Sequence, residues 1–157
     1  MNNALILIIY YFSILISILG YGLFFLGLFK KQLNSSNFGY IGLFGIYILL
    51  IYSYLSNFIL AHSELHNTLV LILGVILFIF RICKNYSKYK KEFLLTILVF
   101  FLISSSIFLY KNHDDFPYYH FPYTYYLTQQ SFFIGVGQFN HGFRTPSSIF
   151  YLNSLFY

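Results

Sequence analysis

Residues 4–29 read ALILIIYYFSILISILGYGLFFLGLF, and none of them is charged. At a rise of about 1.5 Å per residue, this run exceeds the roughly 20 residues that cross a hydrocarbon core of about 30 Å. It predicts a membrane helix. A cleavable leader would need a basic start and an apolar core of about 7 to 15 residues. Met1-Asn2-Asn3 offers no basic side chain and the run is too long, so the helix is read as permanent.

The pattern recurs. Residues 38–61 form a second uncharged stretch, in which Asn57 and small serine and glycine residues provide a face for packing on another helix. Residues 65–83 make a third, with Arg81 inside its end and obliged to snorkel toward the headgroups. Residues 93–110 make a fourth, interrupted only by Thr96 and Ser104-Ser105-Ser106, whose hydroxyls can bond back to helix carbonyls.

Composition agrees with this reading. Of 157 residues, 59% are hydrophobic and only 8% charged, against about a quarter charged in soluble domains. A water-facing surface of this size could not be covered, and the mean hydropathy is +0.71. A soluble domain, a disordered tail and a collagen-like repeat are all excluded. Cys83 is the single cysteine, so no intrachain disulfide and no thiolate metal cage is available. The net charge of +5 is scattered between apolar runs rather than gathered on one face, which excludes a nucleic-acid partner. No solenoid repeat is visible.

Basic residues near helix ends stay on the cytoplasmic side. Lys30 and Lys31 follow the first run, while Arg81, Lys84, Lys88, Lys90 and Lys91 follow the third, so seven of the nine Lys and Arg share one side if all four runs span. This places the N-terminus and the segment after Tyr110 outside, in a bacterial inner membrane, the abundance of Phe, Ile, Tyr, Lys and Asn being that of an AT-rich bacterial genome. All five histidines and three of the four acids, Glu64, Asp114 and Asp115, fall on that same outer side. The sequence therefore predicts an all-α, polytopic bundle. Residues 1–110 form four spanning helices, residues 111–145 an extracytoplasmic loop with short interfacial helices, and residues 146–157 the start of a fifth span. Thr145-Pro146 is read as the cap and first position of that last helix, and the chain as the N-terminal part of a longer protein.

Residues 111–144 read KNHDDFPYYHFPYTYYLTQQSFFIGVGQFNHGFR and hold whatever chemistry the chain has. Asp114 and Asp115 follow the negative end of the fourth helix, where carboxylates are disfavoured. Two accounts stand. In one, Asp115 caps a following helix whose first turn holds Pro117, with Asp114 simply solvated. In the other, a carboxylate at the rim of the bundle serves as general base toward an acceptor hydroxyl, or holds a divalent cation such as magnesium or manganese that neutralises a phosphate leaving group. His113 and His120 flank the pair, and His141 with Arg144 could supply positive charge to a phosphate.

Most of the tyrosines between residues 118 and 126 are read as an interfacial belt, with one or two free to stack on a sugar. Gly135-Val136-Gly137 lacks the third glycine and the preceding strand of a dinucleotide fingerprint, so it is read as a turn. His62-x-Glu64-x-His66 has a metal-compatible spacing but not the metalloprotease arrangement, and is read as interfacial polar residues.

His113-Asp114-Asp115, Tyr119-His120 and Gly142-Phe143-Arg144-Thr145-Pro146-Ser147-Ser148, set behind a block of hydrophobic helices, resemble the C-type membrane glycosyltransferases over the last third of the chain. The resemblance implies transfer of a sugar from a polyprenyl-phosphate-linked donor in envelope glycan assembly. It assigns catalysis to Asp114 or Asp115 and substrate contacts to His113, Tyr119, His120, His141 and Arg144. The partners implied are the lipid bilayer and a lipid-linked sugar. The family's acidic motif follows the first membrane helix, whereas three more runs precede it here. A transporter or flippase component, or a non-catalytic membrane subunit, is the alternative.

Overall fold

The computed structural model describes residues 2–28, 37–108, 114–145 and 147–157. Among these the chain is all-helical, with no strand. Helices α1 (Asn2–Leu28), α2 (Phe38–Ile59) and α3 (Glu64–Lys84) are long and apolar enough to cross a membrane. Helix α4 (Tyr86–Ser104) begins seven residues before the fourth apolar run, because Lys88, Lys90, Lys91 and Glu92 are good helix formers and extend it backward. Those four charges also make its first half too polar to count as a span by composition. A π-helical turn (Phe116–His120), α5 (Phe121–Gln129), two 3-10 turns (Val136–Gln138 and His141–Phe143) and α6 (Ser148–Ser154) complete the order.

The chain divides into two compact units, Met1–Ile48 with Leu71–Tyr110, and Leu49–Val70 with Lys111–Tyr157. In the first, helices meet through glycine. A Cβ at Gly20 would overlap the Gly74 carbonyl, one at Gly22 the Ile41 carbonyl, and one at Gly45 the Ile18 carbonyl. Small residues allow backbones to approach in this way where lipid removes any hydrophobic drive between helices. Ile16, Leu19, Leu23, Phe38, Ile41 and Phe78 fill the seam, while the outward side chains are equally apolar, with Leu43 at 69% and Ile76 at 56% exposure.

Arg81 lies against α1, its Nη2 donating to the Phe24 carbonyl at 3.4 Å and its guanidinium 5.9 Å from the Phe24 ring. Ser104, Ser105 and Ser106 each donate to the carbonyl three residues back, at 2.8, 2.8 and 2.7 Å, as the sequence predicts. The α4 helix tightens to a 3-10 turn at the same place.

The second unit is built on two helix ends that complete one another. The last carbonyls of an α-helix have no partner within it. The Leu127 carbonyl, in the last turn of α5, accepts from His62 N at 3.0 Å and Asn57 Nδ2 at 3.3 Å. The Asn57 carbonyl, in the last turn of α2, accepts from Phe132 N at 2.7 Å. Tyr123, Leu127, Phe150 and Tyr151 form the core around this junction. Helix α6 is capped by Ser147, whose hydroxyl accepts from Ile149 N at 3.4 Å. Thr145 is therefore not its cap: Ser147 stands one position before the first helical residue and already has extended backbone, the geometry a cap needs.

Candidate functional site

Every predicted site residue that the structure describes lies in the second unit. His113 is outside the described residues. Asp114 is exposed, in the turn before the π-helical segment, and Asp115 is half-buried at its start. Asp115 occupies the cap position of that turn, but with its backbone: its carbonyl accepts from Tyr118 N and Tyr119 N at 3.2 Å each, and its carboxylate makes no capping bond. Pro117 sits in the first turn, as a capped helix would require.

The double Phe-Pro spacing explains the local structure. Pro122 has no N–H with which to serve the carbonyl four residues back, that of Tyr118. Asn140 Nδ2 serves it instead, at 3.0 Å, while Asn140 Oδ1 accepts from Gly142 N at 2.9 Å. One amide thus fastens residues 140–142 to the helix. Gly142 is pressed onto Tyr119, since a Cβ there would lie 2.6 Å from Tyr119 Cβ and Cγ. Tyr119 stacks on His120 at 4.3 Å, and His120 meets Phe150 edge-on at 5.1 Å. The structure therefore joins Tyr119, His120 and Gly142 from the resemblance motifs into one cluster. His141 and Arg144 are exposed, and Arg144 Nε donates to the Gly137 carbonyl at 3.4 Å. Gly135 has φ +97°, a left-handed conformation suited to glycine, and opens a 3-10 turn, in accord with the reading of Gly135-Val136-Gly137 as a turn.

Beside this cluster runs a groove of about 680 Å³, walled by Phe121, Tyr125, Phe133 and Phe139 with Gln129 and Gln130 among the lining side chains. A smaller cavity of about 220 Å³ shares Tyr126, Phe133 and Phe143 with it and reaches Asn57, Tyr123 and Tyr151. Set against known proteins, the chain matches no family model, no curated protein and no solved structure.

A second polar centre forms around His62 and His66, which the sequence alone presents as interfacial residues. His62 is fully buried, precedes α3 rather than lying on it, and stacks on His66 at 5.1 Å. Its Nδ1 is 2.6 Å from Ser154 Oγ and its Nε2 is 2.9 Å from Ser56 Oγ. The Ser154 hydroxyl donates to the Tyr151 carbonyl at 2.8 Å and the Ser56 hydroxyl to the Ser53 carbonyl at 3.3 Å, so either hydroxyl oxygen can accept from the His62 ring nitrogen that carries the hydrogen. In His66 the hydrogen is on Nδ1: Asn67 Nδ2 is held by the Ser154 carbonyl at 2.6 Å, so Asn67 Oδ1 accepts from His66 Nδ1–H at 3.1 Å, and His66 Nε2 accepts from Tyr52 OH at 2.9 Å. Burial first, and the neighbouring His66 second, lower the His62 pKa to about 4. Both rings have their nitrogens engaged, and among the described residues no three His, Cys, Asp or Glu side chains converge as a metal site would require.

Proposed function

We propose that this protein is a membrane-embedded enzyme of the C-type glycosyltransferase kind, transferring a sugar from a polyprenyl-phosphate-linked donor at the extracytoplasmic face. The observation that carries the reading is the aromatic groove lying in the same unit as the Asp114-Asp115 pair. A polyprenyl donor combines a long apolar chain with a sugar and an anionic phosphate. Phe121, Tyr125, Phe133 and Phe139 offer apolar wall to the chain, and Gln129 and Gln130 offer amide donors and acceptors to polar groups.

In this reading α4 provides a fourth crossing, the basic connections face the cytoplasm, and the N-terminus and residues 111–145 face outward. Asp114, exposed, or Asp115, half-buried, accepts the proton of the attacking hydroxyl or holds a divalent cation against the departing phosphate. The exposed Arg144 and His141 balance phosphate charge.

The test is sugar transfer in proteoliposomes supplied with a polyprenyl-phosphate-linked sugar. Wild type is expected to transfer, and Asp114→Asn or Asp115→Asn to lose roughly 100-fold or more, the usual contribution of a general base, with membrane insertion intact. Full activity in the double variant would refute the reading. Donor-dependent flux without transfer would make the protein a transporter, and a partner whose co-purification needs residues 111–144 would make it a non-catalytic subunit.

A further inference from the structure

The first unit carries a groove that sugar transfer does not use. It lies among α1, α2 and α4 and has a volume of about 460 Å³, within the range of about 300–1,000 Å³ usual for small-molecule sites. Its lining grades from the buried Leu19 and Phe38 to Leu43, Leu95 and Val99, which are exposed on two helix surfaces as apolar as the interior. A Cβ at Gly42 meets only Leu19 Cδ2, at 3.6 Å, so the space beside that residue is open. Three lining residues are polar: Asn37, Glu92 and Thr96. The half-buried Glu92 ties α4 to the start of α2, its Oε2 accepting from Phe38 N at 3.4 Å. Thr96 Oγ1 spends its hydrogen on the Glu92 carbonyl, at 2.8 Å, so toward the groove its oxygen can only accept. Glu92 and Thr96 thus present acceptors and one negative charge to an otherwise apolar space.

Glu92 is the last charged residue of α4, at the point where that helix turns apolar. Lys88 stands four residues earlier, on the same face and one turn nearer the helix start. Its Nζ lies 5.4 Å from the centre of the Tyr89 ring, and among the described residues no ion pair joins it to Glu92. A carboxylate and an ammonium one turn apart, at the mouth of an apolar groove, complement a zwitterion carried on an acyl chain: its cation for Glu92, its phosphate for Lys88, and its chain for Leu43, Leu95 and Val99. A primary ammonium has three hydrogens to give. A trimethylated one has none, and a glycerol headgroup brings no positive charge. We infer that this groove is a phosphatidylethanolamine site, in which Glu92 and the Thr96 oxygen accept from the headgroup ammonium, Lys88 donates to the phosphate, and one acyl chain lies among α1, α2 and α4. The site is independent of any transfer step and of which side of the membrane Glu92 faces.

The experiment is native mass spectrometry of the purified full chain in detergent micelles, titrated separately with dioleoyl phosphatidylethanolamine, phosphatidylcholine and phosphatidylglycerol. The ethanolamine lipid should bind saturably and roughly tenfold more tightly than the choline lipid, the worth of the charge-assisted hydrogen bonds that methylation removes. Glu92→Gln, which keeps an acceptor for Phe38 N, should bring these two lipids to equal affinity. Lys88→Gln should weaken both together and leave their ratio unchanged. Gly42→Leu, which fills the groove, should abolish saturable binding. Circular dichroism checks the folding of each variant. Should one fail to fold, photo-crosslinking of wild type with an ethanolamine lipid carrying a diazirine on its acyl chain locates the site instead: labels within residues 15–19, 39–46 or 95–99 support it, and labels confined to other residues overturn it. Equal binding of the ethanolamine and choline lipids would overturn it, as would an ethanolamine preference retained in folded Glu92→Gln protein. Tightest binding of the glycerol lipid would also overturn it, reducing the effect to attraction of anionic lipid by the basic residues between α3 and α4.

Discussion

The Asn140 side-chain amide donates to the Tyr118 carbonyl, the acceptor that Pro122 has no hydrogen to serve. A residue 22 positions away therefore serves a carbonyl at the junction of the π-helical turn with α5, and fastens residues 140–142 to it. Asn140→Ala should lower the stability of the purified protein by about 0.5–1.5 kcal/mol, the net contribution of an ordinary hydrogen bond, since water can reach the exposed Tyr118 carbonyl. Asn140→Asp should lose only part of this, because a carboxylate cannot donate to the Tyr118 carbonyl but still accepts from Gly142 N. A midpoint for Asn140→Asp equal to wild type would show that the Tyr118 bond contributes nothing.

Gly142 and Tyr119 should behave as one contact. Gly142→Ala places a methyl against the Tyr119 side chain and is expected to cost about 1–3 kcal/mol as overpacking. In the Tyr119→Ala background the same change should cost much less, since the obstruction is gone. A double-mutant cycle with strictly additive effects would contradict the packing described.

Glycines in the first unit divide into two kinds. Gly45→Ala drives a methyl into the Ile18 carbonyl and should destabilise the protein, read as a lower sodium dodecyl sulfate midpoint in an unfolding titration. Gly42 is the control: a Cβ there meets only Leu19 Cδ2, at 3.6 Å, an ordinary contact. Gly42→Ala should be neutral or stabilising by up to about 1 kcal/mol through helix propensity.

His62 makes stability depend on pH. Its ordinary pKa of 6.5 falls to about 4 in the fold, so between these values the unfolded chain binds a proton that the native state refuses. Unfolding takes up protons, and stability falls as pH drops from 6.5 toward 4 and is unaffected above that window. Melting curves at pH 7.5, 5.5 and 4.5 should show this slope. His62→Gln should flatten it, and a slope identical to wild type in that variant would assign the effect to another group.

Much of the helical architecture is visible in uncharged runs alone, because a span is a matter of length and missing charge. Helix α4 starts earlier than its apolar run because charged residues with high helix propensity continue a helix as well as apolar ones do. The sequence is weaker wherever polar groups meet over long separations. Ser56, His62 and Ser154 look like three unrelated polar residues until α6 is placed beside the end of α2. Asn57 is visible as a polar residue in an apolar run, but the carbonyls its nitrogen serves, those of Leu127 and Gln130, are evident only in the structure. Asp114 and Asp115 stand out in the sequence through their charge, and the groove in the same unit does not, since the phenylalanines and tyrosines that line it resemble those of any membrane-interface segment.

Seventy residues separate Asn57 from Leu127, and that gap sets a timetable. Chains grow at about 5–20 residues per second, so the finished end of α2 waits about 4 to 14 s before the residues that close it exist. During that interval the Asn57 Nδ2 and His62 N–H donors, which the Leu127 carbonyl serves in the fold, must bond to water or headgroups, which keeps this helix end at a wetted surface while synthesis continues. A nascent chain arrested at residue 126 should accordingly be cut by protease near residues 57–62, and the released chain of 157 residues should resist.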